Sequence, residues 1–264
     1  MRIVVLVKPV PDPASAGERL GSDHRLDRAA APAVVNGNDE YALEAALKLI
    51  ASAPEGSEVA LLSMAPASAP ETLRKALAMG ATRGVLVTDP ALAGSDAVST
   101  ARVLAAALGA LEYDLVLAGV DTSDGVGGTV AAAVAAHLRL PYLSYAARIE
   151  PDEAAGIVRV RRISPTGYDL LEAPMPALIS CTQALGEPRY PSLKGIMGAR
   201  SKEIVSRSLA DLGLDPATVG GTVATTVVRE ARTPPPRGAT EVVRGTPGEG
   251  AARVVELLAT RRLI

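Results

Sequence analysis

The chain has 264 residues, 48% of them hydrophobic but only 2% aromatic, with no Phe and no Trp. Its 27 basic and 29 acidic residues leave a formal charge of −2, which excludes a broad electrostatic pull toward nucleic acid or an anionic membrane, and the shortage of aromatic rings argues against base-stacking platforms. Cys181 is the single cysteine, so no intramolecular disulfide framework and no Cys-based zinc site can form; His24 and His137 lack ligand spacing, and no metal is expected.

Residues 2–7 read as a strand that begins almost at the first residue, leaving no room for a cleavable leader, and no run of about 18 apolar residues follows to span a bilayer. The expectation is a soluble cytoplasmic protein. Residues 39–50 form a helical pattern with Ala42, Leu43, Ala46, Leu47 and Ile50 on its inner face. A second strand is predicted over 58–63, a helix over 69–79 stopped by Gly80, and a third strand over 84–88. Ser95 is the predicted cap of a helix running to Leu108. Alternation of strands with helices argues for an α/β, Rossmann-like open parallel sheet with helices on both faces.

The fourth strand, 114–118, leads into the turn Val120-Asp121-Thr122-Ser123-Asp124-Gly125-Val126-Gly127-Gly128-Thr129 and a helix over 130–138. In open α/β sheets ligands sit beyond the carboxyl ends of the strands, and a helix N-terminus offers free N–H groups to phosphate. Gly125, Gly127 and Gly128 let backbone approach a phosphate and take positive φ. A tight turn that binds nothing is the alternative. Asp121 and Asp124 read as turn and capping residues in preference to an acid/base or magnesium pair.

The turn after the first strand, Lys8-Pro9-Val10-Pro11-Asp12-Pro13, has three prolines without N–H donors, so it cannot cradle a dinucleotide pyrophosphate. The glycine junction lacks the Lys-Ser/Thr ending of a P-loop, which disfavours hydrolysis of a bound triphosphate. A mononucleotide, held but not hydrolysed, fits better. Past Pro141, residues 142–150, 157–164 and 168–172 read as short strands forming a small antiparallel extension, and 176–182 returns to the main sheet. From Leu185 the compact rhythm is lost. Residues 220–250, with Pro234-Pro235-Pro236, are poorly suited to a core of their own, while 250–264 regains an amphipathic pattern through Val254, Leu257 and Leu258.

The run Leu185-Gly-Glu187-Pro188-Arg189-Tyr190-Pro191-Ser192-Leu193-Lys194-Gly195-Ile196-Met197 resembles the signature loop of the β subunit of electron transfer flavoprotein. Further similar segments are Val7 to Asp12, Asn36 to Ala45 and Glu71 to Ala81, so the resemblance covers the first 205 residues. It implies a nucleotide-binding α/β domain over 1–205, including a docking loop at 185–200, and a C-terminal arm over 206–264 whose terminal helix packs on an α subunit. The implied protein is an electron carrier subunit with no catalytic residues of its own. AMP would be surrounded by Leu6, Asn36, Gly37, Asn38, Asp39, Met64 and the segment from Val120 to Val130, with phosphate at Gly125 to Thr129. FAD would lie mainly on the α partner.

Glu187, Pro188, Arg189, Tyr190, Leu193, Lys194, Ile196 and Met197 would dock flavin-dependent dehydrogenases such as acyl-CoA dehydrogenases, with Leu193 as anchor. A membrane-associated quinone oxidoreductase is the implied acceptor. There are departures. Gly198-Ala-Arg200-Ser201-Lys202-Glu203 replaces a Lys-rich run, Pro13 stands where some relatives have a Tyr near the flavin, and Asn36-Gly37-Asn38 replaces Asn-Pro-Phe. The alternatives are an electron-bifurcating subunit with a second FAD in place of AMP, a free-standing ATP-binding protein, and an interaction scaffold with an empty site.

Overall fold

A computed structural model describes residues 1–15, 19–232, 235, 238, 240 and 242–264. In chain order the elements are β1 (Arg2–Leu6), β2 (Pro9–Pro11), β3 (Ala33–Val35), α1 (Gly37–Ala51), β4 (Glu58–Met64), α2 (Pro70–Met79), β5 (Arg83–Val87), α3 (Ala97–Gly109) and β6 (Leu115–Gly119). They continue with α4 (Val130–Leu138), β7 (Tyr142–Asp152), β8 (Ile157–Ser164), β9 (Gly167–Pro174), β10 (Ala177–Cys181), α5 (Leu193–Ala199), β11 (Ile204–Arg207) and α6 (Pro247–Thr260).

Among the described residues, nine strands form one sheet in the order β11-β5-β4-β1-β6-β10-β7-β8-β9. The pairs from β11 to β7 are parallel, and β7, β8 and β9 pair antiparallel as the expected extension. Successive side chains of a strand point to opposite faces. Ile3 and Val5 of β1 accordingly enter a core with Leu43 and Leu47 of α1 and Leu73 and Leu77 of α2. Val4 and Leu6 enter the opposite core, with Val103 and Leu104 of α3 and Val134 of α4. Helices thus cover both faces of the sheet.

From β1 the chain builds outward through β4 to β5, then returns to lay β6 on the other side of β1. That reversal makes the gap between the carboxyl ends of β1 and β6 the topological switch point, where open α/β sheets bind ligands. The proline-rich run after β1 is not an irregular turn: Pro9–Pro11 pairs antiparallel with Ala33–Val35 in a separate two-stranded ribbon. A two-stranded ribbon tolerates proline because each strand has an open edge that needs no N–H donor.

Two local expectations are corrected. Asp96, not Ser95, caps α3: its carboxylate accepts the Ser99 N–H at 2.9 Å, whereas the Ser95 hydroxyl donates to Leu92 O. The helix starts one residue later than Ser95 requires, so the acid holds the capping position. The chain after Leu185 is also more ordered than its composition indicates. β11 joins the sheet edge beside β5, and Leu209 and Val219 are buried against the core around α3 and α4.

Met1–Val228 and Arg229–Ile264 form two compact units. In the second, Thr246 and Glu249 form a reciprocal capping box at the start of α6, and Val254 and Val255 are exposed. Within the 220–250 stretch, Thr233, Pro234, Pro236, Arg237, Ala239 and Glu241 lie outside the described residues. Among the described residues, no helix is long and apolar enough to cross a membrane.

Leu43 is fully buried on the face of α1 that fixes this helix against the sheet. Leu43→Ala should lower the unfolding free energy by about 2–5 kcal/mol, read by chemical denaturation, because the cavity left behind adds to the lost burial.

Candidate functional site

The switch point is closed by one carboxylate. Asp39, in the first turn of α1, accepts the N–H of Lys8 at 2.8 Å through Oδ2 and the N–H of Gly119 at 3.3 Å through Oδ1. It therefore ties the ends of β1 and β6 to one helix. Gly119 permits the approach, since a Cβ at that position would lie 2.5 Å from Asp39 Oδ1 and 2.8 Å from Asn38 Cβ.

Around this tie the helix entry and the glycine turn interlock. Asn36 donates its amide to Asp121 O at 2.9 Å and accepts the Ser123 N–H at 3.1 Å through Oδ1. Asn38 donates to Asp121 Oδ1 at 2.6 Å. Asn36, Asn38, Asp39, Asp121 and Ser123 are thus brought together from two distant segments. Leu6 and Met64 stand at the carboxyl ends of the neighbouring strands β1 and β4.

Asp121 and Asp124 organise the turn, but neither caps α4, whose N-cap residue Thr129 makes no side-chain cap bond. Asp124 is 1% exposed at its side chain and pairs with Lys8 Nζ at 2.8 Å and Arg28 Nε at 2.7 Å. Burial opposes its charge, yet the bonds to Lys8, Thr122 and Arg28 outweigh that cost and hold its carboxyl below the usual range. Lys8 and Arg28 thus offset the charge of Asp124 inside the turn.

The Gly125 and Val126 N–H groups fold back on Thr122 O at 3.3 and 2.8 Å. Among the described residues, no backbone acceptor meets the N–H groups of Gly127, Gly128 and Thr129. Together with the first-turn N–H groups of α4 they make a set of donors at a helix N-terminus, which suits a phosphate. Positive φ falls on Val126 (44°) and Gly128 (60°), not on all three glycines. A β-branched residue in this region is strained, as is common where a loop is held for binding. A Cβ on Gly127 would meet nothing closer than 4.0 Å, so the space beside this exposed backbone is open.

The second predicted site is a protruding patch. Tyr190 is 96%, Leu193 74% and Met197 66% exposed, with Ile196 also exposed. Ser192 starts α5 by accepting the Gly195 N–H at 3.1 Å, and the absence of a side chain at Gly195 lets this helix approach Ala78 O at the end of α2. Arg189 is directed inward instead, onto buried Glu44 of α1.

Lys8, Arg28, Gly119 and Glu44 are structural participants that the sequence reading did not single out. Lys8 sits directly after the first strand, where a cation faces the switch point, and this is the one signal that a reader of the sequence had; Arg28 has no local pattern. Among the described residues, no group of three or more His, Cys, Asp or Glu side chains is arranged to hold a metal.

An electron transfer flavoprotein domain model matches residues 24–212. The chain is 39% identical over 267 residues to the electron transfer flavoprotein subunit beta of Mycobacterium tuberculosis (strain ATCC 25618 / H37Rv), with 99% of each chain covered. It is 36% identical over 259 residues to the subunit of that name from Clostridium acetobutylicum, covering 98% of each. It is also 35% identical over 268 residues to the caffeyl-CoA reductase-Etf complex subunit CarD of Acetobacterium woodii, covering 100% of each.

Burial pushes the Asp39 carboxyl up from the ordinary 3.8 to about 7, against the pull of the Lys8, Asn36 and Gly119 donors. Between those values the folded protein keeps a proton that the unfolded chain releases, so this group's contribution to stability falls as pH rises from about 4 to about 7. Asp39→Asn removes the titration. Denaturation of both proteins across that range should show the difference moving in the variant's favour as pH rises; a constant difference contradicts the assignment.

Proposed function

The chain belongs to the electron transfer flavoprotein family as a β subunit, and from that premise we propose that it binds AMP at the switch point, completes the FAD site of an α partner and docks flavin-dependent dehydrogenases. It works in the cytoplasm as an electron carrier subunit and not as a catalyst. The redox chemistry of the complex is supplied by FAD bound mainly on the α partner. This chain's residues bind, orient and hold.

The observation that carries the AMP assignment is the set of N–H groups from Gly127 to Thr129 that, among the described residues, meet no backbone acceptor, in the same turn whose Asp121 is bound by Asn36 and Asn38 at the entry of α1. The phosphate belongs on those donors. Lys8 and Arg28 offset Asp124, so the acid does not repel it. Leu6, Gly37, Met64, Val120, Thr122 and Val130 complete the surroundings. AMP is favoured over a second FAD because segments 36–39 and 119–130 carry no aromatic side chain to stack on an isoalloxazine ring.

The exposed Tyr190, Leu193, Ile196 and Met197 support the docking assignment, because a projecting apolar cluster on a short helix and the loop before it matches the anchor-in-pocket form of a binding hot spot. Glu187 and Pro188 lie on the loop that leads into this helix, and Lys194 lies in its first turn. The donors are dehydrogenases of the acyl-CoA class, the acceptor is a membrane-associated quinone oxidoreductase, and the C-terminal arm with its helix packs on the α subunit.

Each half has its own test. Added AMP should raise the thermal midpoint of the nucleotide-stripped heterodimer but not that of Gly128→Val, whose β-branched side chain cannot hold φ 60° without strain. Equal shifts in both would remove AMP from this turn. Leu193→Ala should raise KM for a donor dehydrogenase about tenfold, equivalent to ~1.4 kcal/mol of lost docking, at little change in kcat. An unchanged KM would remove Leu193 from the interface.

A further inference from the structure

Resting on the reading of 187–197 as the docking loop, we infer that Arg189 is a positioning residue that acts on the partner only through Glu44, and that the Glu44–Arg189 pair is the clamp that holds the docking helix in its working orientation. The loop from Gly186 to Ser192 has no regular secondary structure, so something other than a backbone ladder must fix it. Arg189 supplies three bonds to one carboxylate: its backbone N–H and Nε donate to Glu44 Oε2 at 3.2 and 2.7 Å, and Nη2 donates to Oε1 at 3.2 Å. The guanidinium fork matches a carboxylate in this two-sided way, which a lysine point charge cannot reproduce.

Glu44 is a buried residue in the middle of α1. Arg189 covers this carboxylate and, with Lys48, holds it charged against the cost of burial, so the loop that carries the arginine has a defined partner on α1. Lys48 lies 3.6 Å from Glu44 Oε1 and adds to the pull. The far end of the element is fastened separately, by Arg74 Nη1 on Ala199 O at 2.6 Å and by Lys202 Nζ on Leu77 O and Ala81 O at 2.9 and 2.6 Å. Between the two fastenings Tyr190, Leu193 and Met197 project into solvent. A loop held in its bound geometry before the encounter loses less freedom on docking, so the clamp contributes affinity without touching the partner.

A double-mutant cycle separates this from direct contact. The α/β heterodimer with its FAD is assayed for electron uptake from a purified flavin-dependent acyl-CoA dehydrogenase, with wild type, Glu44→Gln, Arg189→Met, the double variant, Arg189→Lys and Leu193→Ala compared. The inference predicts that Glu44→Gln and Arg189→Met each raise KM about tenfold with kcat changed less than twofold, and that the double variant is no worse than either single one. Arg189→Lys should fall between wild type and Arg189→Met. FAD content is read in parallel; if Glu44→Gln does not assemble, the ordering of Arg189→Lys and Arg189→Met decides.

A rise in KM for Arg189→Met with none for Glu44→Gln would mean that Arg189 touches the partner itself, and would overturn the inference. Equal KM for Arg189→Lys and wild type would overturn it as well. If Leu193→Ala leaves KM unchanged, the docking reading beneath it fails; if Leu193→Ala raises KM and neither clamp variant does, only the clamp fails.

Discussion

The Asp39 carboxylate is the constraint on which the site depends. Parallel strands end with N–H groups that no neighbouring strand satisfies, and at the switch point two such ends, Lys8 and Gly119, lie beside each other. One acid in the first turn of α1 answers both. It also sits where the positive end of the helix dipole favours negative charge. The helix is thereby fixed in rotation and height on the sheet, and its entry residues Asn36 and Asn38 are brought within reach of Asp121 and Ser123. The cost is a buried acid whose ionisation is displaced upward.

From that tie the glycine turn inherits its shape. Its near side is bound to Asn36 and Asn38, its middle is folded onto Thr122 O, and Asp124 is pinned between Lys8 and Arg28. Among the described residues, the N–H groups of Gly127, Gly128 and Thr129 leading into α4 meet no backbone acceptor. A frame already held together, with one edge of free donors, lowers the ordering cost that any anion bound there would meet. The same helix α1 carries Glu44 toward its middle, so the frame of the glycine turn and the frame of the loop at 186–192 share one element.

Much of the fold was legible because its strands alternate cleanly and its helices are long. β1, β4, β5, β6 and β10 fall within one or two residues of their expected bounds, and α4 matches from Val130 to Leu138. Shorter pieces were hidden. β11 has four residues and is held by pairing with β5, which no local pattern announces. α5 has seven residues, two of them glycines, so its helical propensity is weak and tertiary fastening decides the outcome. Choosing Ser95 over Asp96 as a cap turned on a single position, finer than sequence periodicity resolves.

In the site, the glycines and acids of 121–129 were legible as a cluster, but their partners were not. Lys8 and Arg28 reach Asp124 across 116 and 96 residues. Gly119 looks in the sequence like the last residue of a strand; its importance comes from the Asp39 side chain that lies against it. Arg189 reads as one more polar residue of an exposed loop until Glu44, 145 residues earlier, is seen to be buried beneath it.

The most direct measurement is to purify the native α/β heterodimer, denature it and quantify the released nucleotides by chromatography and mass spectrometry. The account predicts one FAD and one AMP per heterodimer. Two FAD without AMP, or ATP with no flavin, would contradict it.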